Sequence, residues 1–488
     1  MAMKRTSLFL LTSAFCLQAS AATIVISNQD AANVGFNDPT PSVAAQQGNN
    51  PGATLGAMRL KVFEEAAKIW GGILNSNITI TVDAGFESQG CSAGSATLGQ
   101  AGATASSANF GAGMASTAYP IALAESLKNA EMNGGSKEIR ARFNIDIDSG
   151  DPDCLGGEGF YYGLDDNVPV GMSALFPVVL HELGHGLGFV ALANVGPSDS
   201  GAFVGAGGFP DTFSRNLEDE PSGKSWDEMT AAERKASALS EPDLVWKGAK
   251  VTADRAIHLG PSPELVINAP GGIAGEYLAN LGAQETIIVP PNGVTGAVVD
   301  GNTFMDLEPG PADGCGQISF GGTFTGKIVL FDEPACSASV VAFYSQIEGA
   351  AGVVIIANSP NGLPDMSGTV SLPMGQVLEM PYIGVEQSVG DDLRASLGSA
   401  NVTIRYSSTM LEGENGGLVK MYAPAAYESG SSVSHWSQTA TPDLLMEPSL
   451  GFLEFENVDL TAAAFFDIGW SVNIPGGVVE IIYEDGFE

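Results

Sequence analysis

The sequence predicts an α+β domain interrupted by a separate α/β module, and three observations carry that expectation. The stretch His181-Glu182-Leu183-Gly184-His185 lies on an apolar segment with helical periodicity, after several strand-like segments. From residue 262 to about 408, strand and helix patterns alternate as in a compact α/β unit. After Leu411, a histidine-bearing, Ser-rich segment leads into one more helix at 459–470, so the first pattern resumes. At 488 residues the chain has room for two or three cores.

The elements follow in chain order. Lys4 and Arg5, an apolar run over 8–17 and the small residues Ala19-Ser20-Ala21 read as an export signal covering residues 1–21. Residues 28–53, rich in Asn, Gln, Gly, Pro and Ala, read as loop. Residues 58–70 have helical periodicity, and 78–82 alternate as a strand does. The Gly/Ala/Ser-rich interval 90–114 shows little periodicity, and 138–147 read as a strand before an acidic loop at 148–153. The helix at 174–189 is best begun just before Pro177 and is ended by Gly186 and Gly188. Residues 226–239 are amphipathic. In the α/β module, strands at 327–331, 353–357, 382–385 and 402–406 frame helices at 339–348 and 388–397.

Charge and cysteines narrow the function. Fifty-six acidic residues against 20 basic ones give a formal charge of −36, which repels phosphate backbones and excludes nucleic acid as a partner. No segment beyond the signal is long and apolar enough to span a bilayer, so no transmembrane anchor is expected. The expected location is secreted or extracellular, with periplasmic or cell-surface retention as variants. Of five cysteines, Cys16 lies in the signal, and the other four suggest two disulfides with three possible connectivities. Sequence neighbourhood favours Cys91 with Cys154 and Cys315 with Cys336. No C-x-x-C occurs, which argues against a cysteine zinc site or a thioredoxin-like role.

The five-residue motif carries the chemistry. Positions i and i+4 of a helix share a face, so His181 and His185 can reach one zinc ion while Glu182 addresses a water as general base. One catalytic zinc needs a third protein ligand and an open position. The compact metzincin pattern places a third histidine six residues on, and that position is Ala191, although Gly188 matches the pattern's glycine. His258 has no metal-type neighbours, whereas His435 sits in Ser434-His435-Trp436 with Leu445-Met446-Glu447-Pro448 following.

A histidine followed ten residues later by Leu-Met-x-Pro resembles the end of the leishmanolysin-like metzincins, and strands preceding the motif helix fit a zincin upper subdomain. The resemblance covers 180–189 and 431–470. It implies that His181, His185 and His435 are zinc ligands, that Glu182 is the general base, and that Met446 forms the turn beneath the metal. The segment 262–408 resembles a protease-associated domain. Cys315, Gly326-Lys327-Ile328, Cys336, the run 349–354 and Met380-Pro381-Tyr382-Ile383 carry that likeness. Such a module is non-catalytic, and this one contains no histidine.

The expected organisation is a signal at 1–21, a catalytic domain in two parts at 22–261 and 411–475, a protease-associated insertion at 262–410, and a tail at 476–488. The expected function is a secreted zinc endopeptidase acting on protein or peptide. The alternative is an idle extracellular protein whose protease-associated module binds peptide or glycan, against which Glu182 argues, since an idle site needs no base. Asp146, Asp148, Asp151 and Asp153 offer a calcium site, without the glycine and glutamate that an EF-hand places at its sixth and twelfth positions. The sequence gives no expectation for oligomeric state.

Overall fold

The computed structural model describes residues 21–157, 159–282, 289–290, 292–303, 315, 324–360, 362–366, 377–449 and 457–473. The signal-type segment through Ser20 and the tail at 476–488 lie outside them. The chain divides into two compact units, Met1–His258 with Gly413–Glu488, and Leu259–Glu412.

The first unit is built on a four-stranded sheet of β1 (Ile24–Asn28), β2 (Ile80–Glu87), β3 (Gly99–Ala103) and β4 (Ile139–Asn144), in the spatial order β1-β2-β4-β3. The first three in that order run parallel, and β3 forms the edge, antiparallel to β4. Helix α1 (Leu55–Ile73) starts at Thr54, whose hydroxyl accepts the Ala57 amide. Its buried face, with Met58, Val62, Phe63, Ala66 and Trp70, supplies much of the core. Phe63 meets Phe36 and Phe143 edge-on, with ring centroids 4.9 and 4.8 Å away.

Helices α2 (Ile121–Lys128), α3 (Leu175–Leu187) and α4 (Asp459–Ile468) belong to the same unit. Nearly every residue of α3 is buried, as expected of a helix that is apolar on all sides. Two indoles hold it. Trp70 Nε1 donates to the Leu180 carbonyl at 2.9 Å, and Trp470 Nε1 donates at 3.0 Å to that of Leu187, an acceptor left open in the helix's last turn.

A small antiparallel sheet marks where the chain leaves and re-enters this unit. Leu418–Lys420, on the returning side, pairs with Leu244–Trp246 on the outgoing side, in the register Val245 to Lys420 and Trp246 to Val419. Arg255 and Glu414 form an ion pair at 2.8 Å across the same junction.

The second unit is organised around an eight-stranded sheet whose central strands, Val294–Asp300, Ile328–Asp332, Gly352–Ile356 and Tyr382–Val385, run parallel. Both faces of these strands are buried. Ile328, Leu330, Val354 and Ile356 pack with Val389 and Leu393 of one helix, while Val329, Phe331, Val353 and Ile355 pack with Val341 and Ala342 of another. Disulfides join Cys91 to Cys154 in the first unit and Cys315 to Cys336 in the second, with Cα atoms 4.7 and 5.8 Å apart.

The acidic loop departs from expectation. Asp148 accepts Arg59 Nη2 at 2.7 Å and the Phe160 amide at 3.0 Å, and also takes the Tyr162 hydroxyl, so its charge is neutralised inside the protein. Asp146 accepts the Ser88 hydroxyl, and Asp151 accepts the Asp153 amide. Among the described residues, Asp146, Asp148, Asp151 and Asp153 do not gather around a common point, and the calcium site expected there is not formed. Asp148 is paired instead with the buried Arg59.

Candidate metal centre

The histidines occupy their places because α3 starts and stops where it does. Ala174 precedes the first turn and Pro177 lies within it, where a missing amide hydrogen leaves no bond unmade. The helix ends at Gly188, whose φ of +124° is a conformation that side-chain-bearing residues rarely adopt. The chain then turns back, the Phe189 amide bonds to the Gly184 carbonyl at 3.0 Å, and the Phe189 carbonyl meets His185 Nδ1 at 2.7 Å.

The third histidine arrives from the returning segment. Its carbonyl accepts the Tyr422 amide at 2.9 Å, and the next residue, Trp436, donates its amide to Met446 at 2.8 Å. Trp436 itself lies buried against Phe189 and Trp246. In the turn before His435, Val433 has a φ of +76°, an outlying conformation for a β-branched residue.

His181, His185 and His435 converge through their Nε2 atoms, which are 3.1, 3.1 and 3.2 Å apart. Each Nδ1 faces a backbone carbonyl: Leu445 at 2.6 Å for His181, Phe189 at 2.7 Å for His185, and Ser431 at 2.7 Å for His435. A carbonyl only accepts, so each Nδ1 carries the proton and each Nε2 presents a lone pair. Burial holds His181 down to about 3, helped by His185, and His185 down to about 4; burial and then its two neighbours hold His435 well below the ordinary value. Three neutral imidazoles thus aim three lone pairs at one another, a repulsive arrangement that a cation would relieve. A tetrahedral zinc with bonds of 2.0–2.1 Å spaces its nitrogens by about 3.3 Å, close to the separations here. The donor set and the fixed tautomers fit such an ion.

Glu182 is buried beside the triad, and burial pushes its carboxyl up to about 8 against the opposing hydrogen bond from the Ala101 amide. Ala101 belongs to β3, so the edge strand positions this side chain. The triad and Glu182 line a cavity of about 1070 Å³ whose walls include Gly99, Gln100, Ala101, Val190, Tyr427 and Glu447. His258 is absent from that lining and from the triad.

Met446 is fully buried against the motif helix. A Cβ on Gly184 would lie 2.8 Å from its sulfur, so a side chain at the motif's glycine would force this buried thioether to shift. Gly184→Ala is expected to destabilise the protein by about 1–3 kcal/mol, the usual cost of overpacking. Urea unfolding in a double-mutant cycle checks the cause: the penalty shrinks when Met446 is also alanine, and an unchanged penalty removes the contact as explanation.

Sequence reasoning missed the residues behind the histidines. Asp459, buried at the start of α4, accepts the Leu445 amide at 2.5 Å and the Thr461 amide and hydroxyl at 3.0 Å each. It thereby anchors Leu445, the residue whose carbonyl faces His181. The helix beginning at 459 was visible in the sequence, but the reach of Asp459 back to Leu445 was not. Burial raises the Asp459 carboxyl from 3.8 to about 6. A folded pKa above the unfolded one means that this group's contribution to stability is full below about pH 4 and is lost as pH rises from about 4 to 6. Wild type is therefore expected to lose stability across that window relative to Asp459→Asn, which should itself cost about 1–3 kcal/mol through the lost acceptor. A stability difference that is flat with pH would show that Asp459 does not titrate there.

Residues 294–393 match the family model described as PA domain, so the second unit contains a PA domain. No curated protein matches the chain. Several solved structures resemble part of it. BSAP, a zinc aminopeptidase from Bacillus subtilis, is 16% identical with a TM-score of 0.22, over 36% of this chain and 38% of that one. A peptidase M28 precursor from Shewanella amazonensis is 13% identical with a TM-score of 0.21, over 32% and 39%. The subtilisin-like protease Apa1 from Pseudoalteromonas is 18% identical with a TM-score of 0.20, over 31% and 34%. The chain thus spans less than two fifths of the length of each of these structures, and likenesses this partial assign it neither a catalytic fold nor an activity.

Proposed function

We propose that this protein is a secreted zinc-dependent endopeptidase whose metal is held by His181, His185 and His435. The observation that carries the reading is the convergence of three carbonyl-anchored imidazoles beside a buried carboxylate in an open cavity. Bound there, zinc would lower the pKa of a water toward ~7 and polarise a substrate carbonyl. Glu182 takes a proton from the attacking water onto its carboxylate and delivers it to the leaving amine. Orientation of that carboxylate falls to the Ala101 amide. β3 borders the cavity as an edge strand, so an extended substrate can lie along it by backbone hydrogen bonding. Such binding suits a chain cut in its interior.

The long-range third histidine and the buried Met446 support a leishmanolysin-like metzincin arrangement. In that reading the catalytic domain comprises 22–261 and 411–475, interrupted by the PA domain region at 262–410. Two disulfides fit an oxidising compartment, and among the described residues no helix is long and apolar enough to cross a membrane. Zinc analysis and casein hydrolysis, before and after chelation, test the proposal. Chelation should abolish cleavage, and stoichiometric zinc should restore it. A chain that contains no zinc as purified and cleaves casein at an undiminished rate would overturn it.

A further inference from the structure

We propose that Glu125, Glu131 and Glu138 form a second cation site, for one hard divalent ion, in the loop that joins α2 to β4. One carboxylate oxygen from each lies within 4.8 Å of the others. Glu125, in the last turn of α2, is 1% exposed, and Glu138, just ahead of β4, is 2% exposed; Glu131 is exposed in the loop between them.

The arrangement is built rather than incidental. Glu125 Oε1 accepts the Met132 amide at 2.8 Å and the Asn133 amide at 3.1 Å, which fixes the carboxylate while leaving Oε2 sealed from solvent with no hydrogen-bond partner. Glu138 Oε2 accepts the Thr81 amide at 2.6 Å, and its Oε1 accepts Asn133 Nδ2 at 3.0 Å. Among the described residues, none of the three carboxylates is in an ion pair with Lys, Arg or His. Burial raises the Glu125 carboxyl, and its two acidic neighbours raise it further.

Three carboxylates brought together, two of them buried, need a proton or a cation. A proton serves this site poorly. A single proton at Glu125 neutralises one carboxylate of the three, whereas a divalent ion is shared by all of them. Calcium binds carboxylate oxygens at about 2.3–2.6 Å, so oxygens on opposite sides of one such ion lie up to about 5 Å apart. The observed limit of 4.8 Å falls within that span. Softer metals prefer the histidine triad, which separates the two sites by donor chemistry. An ion here would brace the end of β4, the strand on which the cavity's edge strand β3 is paired.

The test uses the full chain with its zinc retained and calcium chloride as probe, with magnesium chloride as a second arm. Calorimetry should find one saturable calcium or magnesium site in wild type, and the melting temperature should rise with that ion and then plateau. Glu131→Gln, at an exposed position that does not threaten folding, should weaken binding at least ~10-fold, since affinity follows the number of charged ligands. Glu125→Gln should weaken it further. Wild type that binds neither ion overturns the proposal, and so does binding that is equally tight in Glu131→Gln.

Discussion

Glu182→Ala should lower kcat/KM on a peptide substrate by roughly 10²–10⁴-fold, the usual contribution of a positioned general acid–base, while zinc content per chain stays unchanged. The separation is possible because Glu182 is not among the converging ligands. Glu182→Gln sharpens the test. It keeps an oxygen for the Ala101 amide and fills the same volume but cannot carry the proton, so it should be as inactive as alanine. The wild-type rate should fall as pH drops through the carboxyl's working pKa. That pKa lies below the value of about 8 set by burial, because a dication nearby favours the carboxylate. A zinc-loaded Glu182→Gln protein that keeps a tenth or more of wild-type activity would remove Glu182 from the mechanism.

His435→Ala should cost both the metal and the activity. Loss of an outer partner costs roughly 10–100-fold in metal affinity, and loss of a direct ligand should exceed that. The purified variant should retain zinc far below one ion per chain and show no measurable cleavage unless zinc is supplied in large excess. The fold should survive, because the strand pairing and the Trp436–Met446 bond that hold this segment do not involve the imidazole. Zinc bound as tightly as in wild type would exclude His435 as a ligand.

The motif helix was legible because its apolar period, its paired histidines and its closing glycines agree. Helix α1, the strand beginning β2 and the alternating elements of the second unit were legible for the same reason, through period-2 or period-3.6 patterning. The edge strand β3 was not. Its residues, Gly99–Ala103, include no β-branched or aromatic side chain, and their extended form is imposed by pairing with β4. The strand at Pro261–Ala269 was hidden similarly, by two prolines in its first three residues. The pairing inside the acidic loop was not legible, because a sequence cannot show that Arg59, far upstream, reaches Asp148. Glu125, Glu131 and Glu138 follow no recognisable spacing, and only the turn after α2 gathers them.

The three carbonyls that face the imidazoles carry one further consequence. None of these acceptors belongs to a side chain, so no substitution at Leu445, Phe189 or Ser431 deletes one outright. The orientation of the triad is written in the path of the main chain. It should tolerate sequence drift at those three positions and fail when the path is altered, as by an insertion between Gly188 and Phe189 or a proline that redirects the turn before His435. In a lineage of such chains, loop length around the triad would be held more tightly than the identity of the residues that hold its rings.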